Sequence, residues 1–178
     1  FKKSLFFGGM VMILGNLLIA IAPKEMFYYG IAFSIIGTGF FKPNVSSMVG
    51  ELYHEDDPRR DAGYGMFYAG INIGGFLGGI LCIYLGKYYS WQLCFLASAI
   101  VMVLGLLTFL FTKNKLGPIG NSPLSHLPKT KRLTKEILVY ALSLLSIPLI
   151  FIMVKNTDYT DYFMYTIGII AIAYFLFE

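Results

Sequence analysis

The residue in this sequence that most needs a chemical reason is Lys42. It stands in Gly37-Thr-Gly-Phe-Phe-Lys-Pro-Asn-Val-Ser-Ser-Met-Val-Gly50, within an apolar run from Met26 to about Leu52 whose only other charge is Glu51, near its end. A cation at a bilayer centre costs at least about 2.5–3.5 kcal/mol on insertion scales, so an intramembrane lysine faces a polar cavity or a counter-ion and marks a site. A second strongly polar side chain, Asn72, stands in Phe67-Tyr-Ala-Gly-Ile-Asn-Ile-Gly-Gly75, with Tyr68 one helical turn before it on the same face. Packing is as reasonable a role for Tyr68 as ligand contact.

These residues need membrane helices to carry them, and the composition supplies them. Hydrophobic residues make up 57% of 178 and charged residues 13%, about half the charged share of a soluble domain. Leu5 to Ala22 is uncharged for 18 residues, about 27 Å of helix and close to the hydrocarbon thickness. Pro23-Lys24-Glu25 breaks it before the Lys42 run begins. A charged loop, Tyr53 to Asp61, precedes 25 uncharged residues from Ala62 to Gly86, and after Lys87 another 25 run from Tyr88 to Thr112. Residues 113 to 136 hold five lysines, one arginine and three prolines and read as an aqueous linker. Two shorter apolar runs, Ile137 to Val154 and Tyr162 to Phe177, complete six expected spans. The expected fold is therefore all-α and polytopic, with four helices in 1–112, a linker in 113–136 and a helical hairpin in 137–178. The start at Phe1 gives the chain the look of an excerpt from something longer, without a signal peptide.

Ten basic residues fall on the side of Phe1, the Tyr53 to Asp61 loop and the linker, against three (Lys24, Lys87 and Lys155) on the other. The positive-inside rule makes the first side cytoplasmic, and the aromatics at the opposite ends fit an interfacial belt. With the second and third spans joined by a loop centred near Asp57, Lys42 and Asn72 lie fifteen residues to either side of it. Each is then about 15 Å inside the boundary, near the midplane, where access to a site can alternate between the two sides. Pro43 withholds a hydrogen bond from Gly39 and is expected to kink the helix beneath Lys42. Gly70, Gly74, Gly75, Gly78 and Gly79 form small-xxx-small spacings that admit another backbone closely, whether for motion or for static packing.

All ten acidic residues fall in loops or near helix ends. A buried cation needs a partner, so the carboxylate for Lys42 is expected on a helix outside this chain or on a second molecule. Other chemistry is sparse. Cys82 and Cys94 read as two buried thiols in preference to a disulfide, and His54 and His126 as solvent-exposed. No cofactor, metal cluster, catalytic set or nucleic-acid surface is indicated, so the chain is not read as an enzyme. Arg59-Arg60-Asp61 reads most simply as a solvated helix start, with bracing of an inner gate as the alternative.

Three stretches in order, Gly37-Thr-Gly-Phe-Phe-Lys-Pro-Asn-Val-Ser-Ser47, Arg59-Arg-Asp-Ala-Gly63 and Phe67-Tyr-Ala-Gly-Ile-Asn-Ile-Gly-Gly75, resemble the proton-dependent oligopeptide transporters, a branch of the major facilitator superfamily. The resemblance implies the third to sixth helices of an N-terminal bundle, then the two additional helices of bacterial members. It implies that Lys42 contacts a peptide's carboxyl end and communicates with a helix-one glutamate, and that Asn72 contacts the peptide backbone. The first helix, with the family's ExxERFxYY motif, the second helix and the C-terminal half are not within this sequence. The resulting expectation is a fragment of a proton-coupled importer of di- and tripeptides working by alternating access in the inner (plasma) membrane. The alternatives are a non-transporting helical module in which Lys42 and Asn72 fix assembly, or another cargo on the same scaffold.

Overall fold

The computed structural model describes residues 1–21, 24–54, 56–122 and 128–177. The chain is helical throughout, with no strand among the described residues: α1 (Lys2–Ile21), α2 (Lys24–Glu51), α3 (Arg59–Tyr88), α4 (Trp91–Thr112), a 3-10 turn (Lys113–Leu116), α5 (Lys129–Leu145), α6 (Ile147–Lys155) and α7 (Thr157–Phe177). The expected break at Pro23 and His126 lie outside the described residues. Among the described residues four segments are long and apolar enough by themselves to cross a membrane: Lys2–Ile21, Arg59–Tyr88, Trp91–Leu116 and Thr130–Lys155. Six spans were expected. α2, diluted by glycine, serine, threonine and Lys42, does not reach that apolarity alone, while α7 (Thr157–Phe177) runs the length of the expected last span.

The centre of the molecule is the antiparallel pair α1 and α2, and glycine makes it possible. A Cβ on Gly8 would lie 2.7 Å from the Gly37 carbonyl oxygen, and one on Gly15 would lie 2.7 Å from that of Gly30. The reverse holds for Gly30 against Gly15 and Gly37 against Gly8, also at 2.7 Å. Each helix thus presents two glycines seven residues apart, two turns along one face, and the backbones meet where any side chain would keep them apart. α4 closes the other side of α1. Leu5, Met48 and Leu106 form a buried cluster there, with Phe41, Val45 and Phe109 packed against it.

α3 joins this core by its two ends. At the turn into α4, Ser90 caps the helix, its Oγ accepting from the Leu93 N–H at 3.3 Å, which satisfies one of the orphan donors of a helix start. The ring of Trp91 lies over Gly86, where a Cβ would come within 2.8 Å of it. So tight a hairpin sets Cys82 and Cys94 level, with Cα atoms 4.8 Å apart, and their sulfurs are joined in a disulfide. The reading of two separate thiols is corrected by this register, since the Cα separation lies within the disulfide range. At its other end α3 begins beside Asp57, whose carboxylate accepts from the Arg59 N–H at 2.9 Å and from its guanidinium at 2.9 and 3.1 Å.

The linker is not wholly aqueous. Its first residues fold back over the ends of α1 and α2: the Gly120 N–H donates to Glu51 at 2.6 Å, and Lys2 Nζ donates to the Gly117 carbonyl at 2.7 Å. Gly120 turns with φ of 75°, and a Cβ there would press on Met48 and Lys2. α5 already begins at Lys129, and Pro148, lacking an N–H, divides the expected fifth span into α5 and α6 at Ser146. Tyr140 packs against Phe7 and Phe40, and Phe151 stacks on Tyr29 at 4.4 Å, seating this segment on α1 and α2.

Replacing Gly15 by leucine should cost about 1–3 kcal/mol through overpacking, read as a lower melting temperature. Gly105→Ala, with nothing within 4 Å of its Cβ, is the control and should leave it unchanged. Arg59 hydrogen-bonding holds the Asp57 carboxyl below its ordinary value. The clasp is therefore fully present above the ordinary aspartate range and is lost as pH falls through the lower folded value. Arg59→Gln removes the guanidinium but keeps the backbone bond, so the Asp57 midpoint, followed by carboxyl NMR, should rise towards the ordinary range.

Candidate functional site

α2 is one continuous helix from Lys24 to Glu51 with Pro43 inside it. Two neighbouring polar side chains bond back into the helix. Thr38 Oγ1 donates to the Ser34 carbonyl at 2.8 Å, and Asn44 Nδ2 donates to the Phe40 carbonyl at 2.6 Å. This Asn44 bond lies one residue along from the Gly39 carbonyl that Pro43 leaves without its usual donor. Phe40 and Phe41 turn inward, to Tyr140 and to the Leu5 cluster. Lys42 turns the other way. It is exposed, on a stripe with Ile35, Thr38, Gly39 and Pro43 at helical spacing, and makes no hydrogen bond or ion pair among the described residues.

Tyr64 fixes where α3 meets α2. Its hydroxyl donates to the Ser46 carbonyl at 3.5 Å, and a Cβ on Gly50 would come within 2.5 Å of the same oxygen. One turn lower, the Tyr53 ring closes on Gly63. Lys42 lies four residues before Ser46 on α2, and Tyr68 four residues after Tyr64 on α3, so each stands about 6 Å beyond this contact. Asn72 stands about 12 Å beyond it, one turn further along α3. Tyr68 is 54% exposed and stacks on Tyr64 with ring centroids 6.4 Å apart. Asn72 is exposed and forms no hydrogen bond among the described residues.

α3 has no buried residue along its whole length. Gly65, Gly70, Gly74, Gly75, Gly78 and Gly79 have nothing within 4 Å of a Cβ. The glycine rows singled out in the sequence are thus open here, while the rows packed inside the chain are those of α1 and α2. A pinned helix with a bare middle is a wall, and a lysine stripe borders it. Such a wall can present an ammonium, a phenol and an amide to a ligand that carries a negative end and a polar backbone.

Sequence reasoning missed Tyr64 and Tyr53, which hold the two helices at this end. The available signal was the i, i+4 pairing of Tyr64 with Tyr68 and the small residues Ser46, Gly50 and Gly63 opposite. Arg60 and His54 border the same contact, around an open cavity of about 500 Å³ with Glu51 and Tyr64.

Residues 2–146 match the family model described as "POT family". The chain is 43% identical over 122 residues to an "Uncharacterized transporter YclF" of Bacillus subtilis, covering 67% of this chain and 25% of that protein. It is 37% identical over 111 residues to the "Peptide transporter YePEPT" of Yersinia enterocolitica, covering 61% and 22%. Among solved structures, a mutant of the peptide transporter POT in complex with alafosfalin superposes with a TM-score of 0.73 at 32% identity, over 98% of this chain and 36% of that one. The chain therefore spans about a quarter of the length of the curated relatives it matches. With the three motif stretches inside the matched region and the helices superposing on a solved transporter, the chain belongs to the POT family of membrane transporters, as a partial N-terminal bundle.

Proposed function

We propose that this chain forms one wall of a proton-coupled di- and tripeptide importer that works by alternating access, with its basic end in the cytoplasm. Lys42 reads the peptide carboxylate, and Asn72 and Tyr68 contact the peptide backbone. The carrying observation is Lys42 itself, exposed on α2 with no hydrogen bond or ion pair among the described residues while Thr38 and Asn44 beside it are bonded back into the helix. An ammonium left without a partner at helix mid-depth favours an anion brought from elsewhere. A peptide carboxylate supplies that charge during uptake, and a carboxylate on another helix supplies it between cycles. Exchange between the two partners would couple peptide binding to protonation of the protein's own carboxylate. Peptide transporters among the relatives support this choice of cargo.

The test belongs in the full-length parent. Lys42→Ala should lower proton-driven dipeptide uptake by at least about tenfold, the scale of removing one partner of a desolvated charge pair, with insertion and yield unchanged. Asn72→Ala should raise the half-saturating peptide concentration by about fivefold or more, as one lost hydrogen bond to a backbone group would. Uptake indifferent to Lys42→Ala sinks the reading. Lys42→Met and Asn72→Leu variants that assemble wrongly but bind peptide normally would point instead to a role in helix assembly.

A further inference from the structure

An open volume of about 830 Å³ lies at the basic end, between the start of α1, the folded-back linker and α5, and Lys42 does not line it. Among the described residues five basic side chains line it, Lys2, Lys3, Lys113, Arg132 and Lys135, against one carboxylate, Glu136. Three of the five are occupied in building the site. Lys3 pairs with Glu136 at 2.7 Å, Arg132 reaches the same carboxylate at 3.5 Å, and Lys2 holds the Gly117 carbonyl at 2.7 Å. Lys113 and Lys135 are exposed and make no hydrogen bond or ion pair among the described residues.

A second, smaller groove of about 320 Å³ shares Lys2, Lys3 and Lys113 and continues between α1 and α4 over Phe6, Phe109 and Leu110. Cations above and apolar rings below match an amphiphile with an anionic head. A soluble phosphate would use the cations and leave the apolar floor unused.

We propose that the cavity and groove together hold one anionic phospholipid of the cytoplasmic leaflet. Lys113 and Lys135 hold its phosphodiester, and the first part of an acyl chain lies along Phe6, Phe109 and Leu110. Basic pockets between helices on the cytoplasmic side suit such head groups, and that leaflet is where anionic lipid carries the surface potential. The lipid then bridges α1, α4 and α5, fastening the linker and the following helices to the bundle. The proposal rests on the orientation given above, but not on the cargo.

The test uses the full-length parent in neutral detergent, with native mass spectrometry reading retained lipid. Phosphatidylglycerol, phosphatidylcholine and glycerol 3-phosphate are the three probes. Phosphatidylglycerol should be retained as a single equivalent at least about tenfold more tightly than phosphatidylcholine, and the double variant Lys113→Gln, Lys135→Gln should lose that preference. Lys113→Arg, Lys135→Arg should keep it, which separates lost charge from lost folding. Equal retention of the two lipids, or a preference that survives the glutamine variant, overturns the proposal. Glycerol 3-phosphate competing as well as the whole lipid also overturns it, in favour of a soluble phosphate site. Because no transport is measured, failure here leaves the peptide reading standing, and failure of that reading leaves this result intact.

Discussion

Close approach of two backbones holds this fold in position. Gly8 against Gly37 and Gly15 against Gly30 bring the α1 and α2 backbones together, with Met12, Ile19 and Ser34 packed on the same glycines. Between membrane helices there is little hydrophobic gain, because lipid is as apolar as the helix surface, so contact area and dispersion decide who pairs. The glycine seam maximises both. It also fixes the rotation of α2 about its axis, and from that rotation the rest of the site follows. Phe41, Val45 and Met48 must face the Leu5 cluster. Lys42, about 100° further round from Phe41, then falls on the exposed stripe with Thr38 and Gly39.

α3 obeys the opposite logic. It is fastened at one end by the Cys82–Cys94 link, the Ser90 cap and Trp91 over Gly86, and at the other by Tyr64, Tyr53 and the Asp57–Arg59 clasp. Between those fastenings Gly65, Gly70, Gly74, Gly75, Gly78 and Gly79 have nothing within 4 Å of a Cβ, and Asn72 is exposed without a hydrogen bond among the described residues. A helix held at its ends and bare in its middle can serve as a surface for something else while keeping its register. The end contacts set the levels at which Lys42, Tyr68 and Asn72 stand relative to one another. The linker adds a further brace at the basic end, where Glu51 and Lys2 hold the turn through Gly117 and Gly120.

Much of this was open to reading from the residues. The uncharged runs gave the first four helices, because in a membrane an apolar stretch of sufficient length has no other way to satisfy its backbone. Lys42 and Asn72 stood out because polar groups in such runs are expensive. Glycine roles were harder. Gly70 to Gly79 carry the denser small-xxx-small signal, yet the seam inside the chain uses Gly8, Gly15, Gly30 and Gly37. Spacing tells which face admits a backbone, and not which backbone arrives. Pro148 was visible as an interruption, but the start of α5 at Lys129, inside the expected linker, was not.

The sequence by itself determined the helical class, the order of the helices, the basic and aromatic ends, and the single lysine set within an apolar run. Each of these follows from local composition, which solvent and backbone chemistry read residue by residue. Tertiary structure alone decided that Tyr64 sets the α2–α3 level, which brings Tyr68 to the height of Lys42 and Asn72 one turn beyond. It alone joined Cys82 to Cys94 and gathered Lys113 and Lys135 around one cavity. Those relations hold between residues far apart in the chain. They depend on how two helices rotate and slide against each other, which packing fixes and periodicity does not.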